Sequence, residues 1–110
     1  MVQLLYQLSL DLRRSTACFP RIHRYSLGQL IADQSSLLLT GAVEINALAD
    51  NAIRTQNLRS LLAKLLDLRL HLRMAQDLHC ISKGRFRSLS LVLDDIQRQL
   101  TGWYKWAKSQ

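Results

Sequence analysis

The sequence predicts an all-α protein, an antiparallel up-down-up-down four-helix bundle that takes residues 1–110 as a single domain. Three observations predict it. Apolar residues recur at alternating three- and four-residue spacing over four stretches, the signature of helices with one buried face. Helix breakers are scarce, with one Pro and four Gly in 110 residues, while hydrophobic residues make up 48%. The breaks between stretches are short, which makes sequential antiparallel packing the simplest topology.

The first helix is expected from Val2 to about Thr16, with Leu5, Leu8 and Leu12 on one side. Pro20 cannot continue it and biases Phe19 toward an extended conformation, where the apolar ring plugs the end of the core. A loop from Arg21 to Arg24 holds two arginines and His23. Ser26 is then the expected N-cap of a second helix running to about Asn51, with Leu27, Ile31, Gln34, Leu38, Gly41, Ile45, Leu48 and Ala52 in three-four register. Gly41 would cost about 1 kcal/mol relative to Ala in a helix interior, so its use is close helix approach. Asp50 and Asn51 mark a turn or bend into a third helix starting near Ile53.

That third helix carries two apolar faces. Leu58, Leu61, Leu65, Leu68, Leu72 and Ala75 make one continuous seam. Leu62, Leu66, Leu70 and Met74, each four apart, make a second row roughly 90–180° away at about 100° per residue. A bundle protomer gives each helix one inward face, so the second row predicts an interface with another chain. Ser82 is the next N-cap, with Gly84 loosening the turn. The fourth helix follows as Phe86, Leu89, Leu93, Ile96, Leu100 and Trp103, and Asp94 with Arg98 is expected to form a favourable pair four apart on its outer face.

Fifteen Lys and Arg against eight Asp and Glu give a net charge of +7, which predicts attraction to polyanions and says nothing of fold. Eleven of the fifteen are Arg, a bias that suits phosphate forks. The cations fall in groups. Arg21 and Arg24 lie in the first loop, Lys83, Arg85 and Arg87 at the last, and Arg59, Lys64, Arg69 and Arg73 on the third helix. Any one surface cation is ordinarily solvated or weakly paired, but grouped with few acids between them they can track a phosphate backbone. Arg69 and Arg73, four apart near the edge of the second apolar row, can grip one phosphate path or one acidic patch. Trp103, Tyr104 and Trp106 can stack on bases, although Trp103 fits the core seam and the others the packing of the C-terminus.

Catalytic patterns are missing. The chain has no glycine-rich phosphate loop, paired-Cys motif, HExxH or nucleophile elbow, so it is expected to be no enzyme and to need no cofactor. Asp67 and His71 share a helix face, but no Glu-x-x-His pair accompanies them, and no metal site is expected. Adjacent Asp94 and Asp95 point apart on a helix and read as a solvated face. Cys18 and Cys80 are too few and too far apart for a disulfide framework and read as reduced thiols. With no leader pattern and no run near the ~20 apolar residues of a membrane span, the protein is expected to be soluble and cytoplasmic.

Several segments carry a family likeness. They are Leu4-Leu5-Tyr6, the run Phe19-Pro20-Arg21-Ile22-His23-Arg24-Tyr25-Ser26-Leu27-Gly28, the third-helix run Leu68 to Leu78, and the stretches Leu93-Asp94-Asp95-Ile96 through Gly102-Trp103. Together they resemble the accessory variability determinant proteins of diversity-generating retroelements, within the broader four-helix-bundle group that includes proteins encoded in ribosomal RNA intervening sequences. Phe-Pro-Arg followed by Arg-Tyr-x-Leu-Gly is the more specific part of the likeness. The chain departs from the pattern at Leu30 and Gln76, where the family tends to be basic. The resemblance implies a homopentameric barrel of four-helix protomers that binds a reverse transcriptase and nucleic acid, its template RNA or DNA. Such a protein supports mutagenic retrohoming, in which adenine-directed copying errors diversify a target gene. The polymerase active site would belong to the partner. Two rivals from other classes stay open: a helical oligomeric adaptor of the broader family with no nucleic-acid role, and a small bundle enzyme or metal carrier, which predicts stoichiometric bound metal.

Overall fold

In the computed structural model, which describes residues 1–110, four long helices pack side by side with no strand. α1 (Val2–Ala17) is followed by a short α2 (Arg21–His23), a π-helical turn (Arg24–Gly28) and α3 (Gln29–Asn46), the three running as one rod. α4 (Asn51–Asp77) and α5 (Lys83–Ser109) complete the bundle. Each long helix packs on the next in sequence, whereas α1 and α5 meet only along a short stretch. The expected bundle is present.

The apolar seams do what their spacing predicts. Leu58, Leu61, Leu65, Leu68, Leu72 and Ala75 from α4 are all buried, as are Leu5, Leu8 and Leu12 from α1 and Leu89, Leu93, Ile96 and Leu100 from α5. Phe19, 1% exposed, closes one end of this core. On α3 a Cβ at Gly41 would lie 2.7 Å from Leu61 Cδ1, closer than side chains pack, so the missing methyl lets α3 and α4 close up. Two polar groups on α3 are satisfied, one within the helix and one across to α4. Ser35 Oγ donates to the Ala32 carbonyl at 2.7 Å, and His71 Nδ1–H on α4 donates to Gln34 Oε1 on α3 at 3.0 Å.

Several boundaries and pairs differ from the sequence reading. The second rod begins at Arg21, because Pro20, extended at φ −51° and ψ 142°, is itself the residue that starts it; its carbonyl accepts from the His23 and Arg24 amides. Ser26 is therefore no N-cap. It sits exposed inside the π turn, and the expected Arg21–Arg24 loop is helical. This rod stops at Asn46, short of Asn51, and α4 starts at Asn51 because the Asp50 carboxylate accepts from the Ala52 amide at 2.8 Å. Ser82 does cap α5, accepting from the Arg85 amide at 3.0 Å. Asp94 does not pair with Arg98. It takes Arg69 of α4 at 2.6 Å, and Arg98 turns to Asp95 at 3.5 Å.

The end of α4 has no glycine, yet it closes as a Schellman turn. The Cys80 amide reaches back to the Ala75 carbonyl at 2.8 Å and the His79 amide to Gln76 at 3.0 Å, with His79 at φ 61°. A left-handed non-glycine residue costs roughly 1–2 kcal/mol. His79→Gly is therefore expected to stabilise the fold by about 1 kcal/mol, after allowing for the extra freedom of glycine in the unfolded chain. Thermal unfolding followed by circular dichroism should show a midpoint roughly 4 °C higher; a lower midpoint would mean that His79 holds the turn through its side chain.

Candidate nucleic-acid interface

Antiparallel packing puts the connection between α1 and α2 and the connection between α4 and α5 at the same end of the bundle. The two are tied together: Arg85 Nη2 at the start of α5 donates to Ser15 Oγ in the last turn of α1 at 3.1 Å. Around them stand Arg13, Arg14, Arg21, Arg24, Lys83 and Arg87. Arg85 thus meets the end of α1 across seventy residues of chain, and the order of the helices puts the other cations at the same end of the bundle. The molecule has four ion pairs, Arg14–Asp11, Arg69–Asp94, Arg73–Asp77 and Arg98–Asp95, so Arg21, Arg24, Lys83, Arg85 and Arg87 have no carboxylate partner.

These five residues divide by what holds them. Arg21, Lys83 and Arg87 are exposed and free to meet a ligand. Arg24 is half-buried, its Nε and Nη2 both donating to the Phe19 carbonyl at 3.3 Å, which fixes the guanidinium against the end of the core. Arg85 is fixed in the same manner by Ser15. A guanidinium held this way has lost its rotamer freedom before any ligand arrives.

The α4 cations do not join one another in a single grip. Arg69 faces α5, its side chain 23% exposed, its Nη2 taken by Asp94 and its Nε buried with no partner. Its neighbour Arg73 stays 67% exposed, loosely paired with Asp77 at 3.6 Å near the basic end. Arg59 is exposed but lies 18 residues before the end of α4, about 27 Å away at 1.5 Å per residue. Lys64 lines a shallow groove on the α3 side of α4 together with Glu44, Asn57 and Ser60. In the second apolar row, Leu66, Leu70 and Met74 are 57%, 56% and 49% exposed, whereas Leu62 is half-buried against the core. The free row therefore starts at Leu66.

In comparisons with known proteins, no family model, curated protein or solved structure matched the chain. The site rests on its own geometry.

Arg13, Arg14 and Tyr25 belong to this surface and were not legible as such. The two arginines read as the outer face of the first helix, and only its antiparallel neighbours bring them to the loops. Arg14 in the last turn of α1, beside the negative end of the helix dipole, was the available signal. Tyr25 stands 77% exposed on the π turn, next to Ile22 at 80%. The C-terminal aromatics lie at the other end of the molecule. Trp103 and Tyr104 are half-buried against the core, and Trp106 lies under the Arg54 guanidinium, 5.8 Å from ring centroid to Cζ. Arg54 also donates to the Leu48 carbonyl and to Asn51 Oδ1, so this stack fastens the connection between α3 and α4.

Side chains suited to metals are not grouped in threes anywhere. His71, half-buried, spends its Nδ1 on Gln34. Both cysteines are free thiols, and burial pushes the Cys80 thiol above its ordinary value, leaving it less thiolate than an open cysteine at the same pH. No helix is long and apolar enough to cross a membrane.

Proposed function

We propose that this chain is a basic, non-catalytic accessory protein that binds nucleic acid through the end of the bundle where its first and last connections meet. The observation that carries the reading is the gathering of Arg21, Arg24, Lys83, Arg85 and Arg87 at one end of the bundle with no carboxylate paired to any of them. Guanidinium groups fixed in advance by Phe19 and Ser15 suit phosphate better than a mobile acidic partner. The family likeness supplies the setting: a cytoplasmic helper of a diversity-generating retroelement that holds the reverse transcriptase and its template RNA during mutagenic retrohoming. In that setting protomers join through Leu66, Leu70 and Met74 into a homopentamer, which repeats the basic end around a ring.

The test is binding of a fluorescent 20-nucleotide RNA as salt is raised from 50 to 200 mM. Five phosphate contacts predict a logarithmic slope of about −3.5 for a single strand, or roughly a hundred-fold loss over that range. A flat response, or no binding at 50 mM, would remove the nucleic-acid role. The adaptor reading would then be the better one, and the exposed Leu66, Leu70 and Met74 row favours it because that row needs only another protein chain.

A further inference from the structure

Between α1 and the π turn a cleft of about 240 Å³ opens at the edge of the basic end, lined by Arg13, Thr16, Arg24, Tyr25, Gly28 and Gln29 among others. Its chemistry is uniform. Arg13 uses Nη2 on Ser36 Oγ at 2.5 Å, and Arg24 uses Nε and Nη2 on the Phe19 carbonyl. Nη1 of each guanidinium has no protein partner, so two donors remain for a ligand. Asp11 pairs with Arg14 at 3.8 Å, and Asp33, outside the lining, accepts from the Nε2 of Gln29 at 2.9 Å. No carboxylate lines the cleft.

We infer that this cleft seats one phosphate of a single-stranded nucleic acid while the adjoining base stacks on the Tyr25 ring. The inference rests on the nucleic-acid reading above and names the form of the ligand. Three points select it. Tyr25 is 77% exposed and lines the same cleft as Arg13 and Arg24, so an aromatic face and anion donors share one site. A duplex keeps its bases stacked on each other and offers none to a protruding tyrosine, whereas a single strand offers every base. The cleft is smaller than the ~300 Å³ at which pockets for whole small ligands begin, so it fits a segment of a polymer better than a free nucleotide. An acidic peptide would fill the anion site but supply no flat ring for Tyr25.

The backbone explains why the ring stands where it does. A π turn holds one residue more than an α turn, and here it spans Arg24–Gly28, keeping Leu27 and Gly28 buried while Tyr25 is thrown outward. Gly28 keeps the turn close to the core: a Cβ there would meet Phe19 Cδ2 at 3.3 Å and Thr16 Cβ at 3.5 Å.

The experiment measures anisotropy of labelled 12-nucleotide oligo-U and oligo-dT, and of a 12-base-pair duplex, with the wild type, Tyr25→Ala, Tyr25→Phe and Arg13→Ala. Tyr25→Ala should weaken both single strands about ten-fold with an unchanged salt slope, and the duplex less than two-fold. Tyr25→Phe, which keeps the ring, should bind as the wild type does. Arg13→Ala should lower the single-strand slope by about 0.7. Normal single-strand binding by Tyr25→Ala overturns the stacking site while leaving the basic end as a nucleic-acid surface. Equal losses on duplex, or displacement by oligo-glutamate that depends equally on Tyr25, also overturn it. Absence of binding by the wild type to any of the three probes overturns this site and the function proposed above together.

Discussion

Leu66→Glu is expected to turn an oligomer into a 12.6 kDa monomer that keeps its helix content. Leu66, Leu70 and Met74 repeat every fourth residue on α4 and are each about half exposed in the single protomer, a row with no partner inside the fold. If a second chain covers the row, a carboxylate in its middle must be buried without a counter-ion, at a cost of several kcal/mol. That is at least a hundred-fold in association. The matched control is Leu68→Glu, two residues on and 0% exposed, which places the same charge in the core and should unfold the chain. Light scattering and far-ultraviolet circular dichroism on both proteins separate the two faces. A wild type that scatters as 12.6 kDa at micromolar concentration would show that the row is simply wet.

Combining Arg21→Ala, Lys83→Ala and Arg87→Ala should weaken RNA binding at 150 mM salt by at least thirty-fold and flatten the salt slope by about 2, near 0.7 per lost phosphate contact. These three cations are exposed and make no ion pair, so their removal leaves packing untouched and the melting midpoint within a degree or two. The informative contrast is Arg69→Ala with Arg73→Ala. Arg69 already spends its charge on Asp94, and its loss strips a contact between α4 and α5, so that pair should cost more stability and less binding than the triple variant. A pair that abolishes binding while the triple variant binds normally would move the interface from the end of the bundle to the flank of α4.

Much of this is legible in the sequence, and the reasons are local. Leu58 to Ala75 and Leu89 to Leu100 buried as their spacing predicts, since three-four periodicity leaves one face for a core. Ser82 was visible as a cap because a cap is a relation between residues three apart. What stayed hidden depends on competition between near and far partners. Asp94 had a good local partner in Arg98, but antiparallel packing offered Arg69 at 2.6 Å, and the nearer cross-helix contact won. The start of the second rod was concealed by Pro20, which reads as a breaker yet also initiates helices through its fixed φ. The α4 terminus was concealed by a histidine doing the task usually given to glycine. The basic loops were legible as two groups of cations; that they form one surface needed the topology.

The near absence of contact between α1 and α5 bears on how the molecule comes into being. Because every substantial helix interface joins neighbours in the chain, the bundle can be assembled one hairpin at a time, without waiting for its two termini to find each other. A nascent chain leaving the ribosome N-terminus first could therefore bury α1 against α3 before α5 had been synthesised, and the slow search for distant partners that exposes apolar surface to aggregation would never arise.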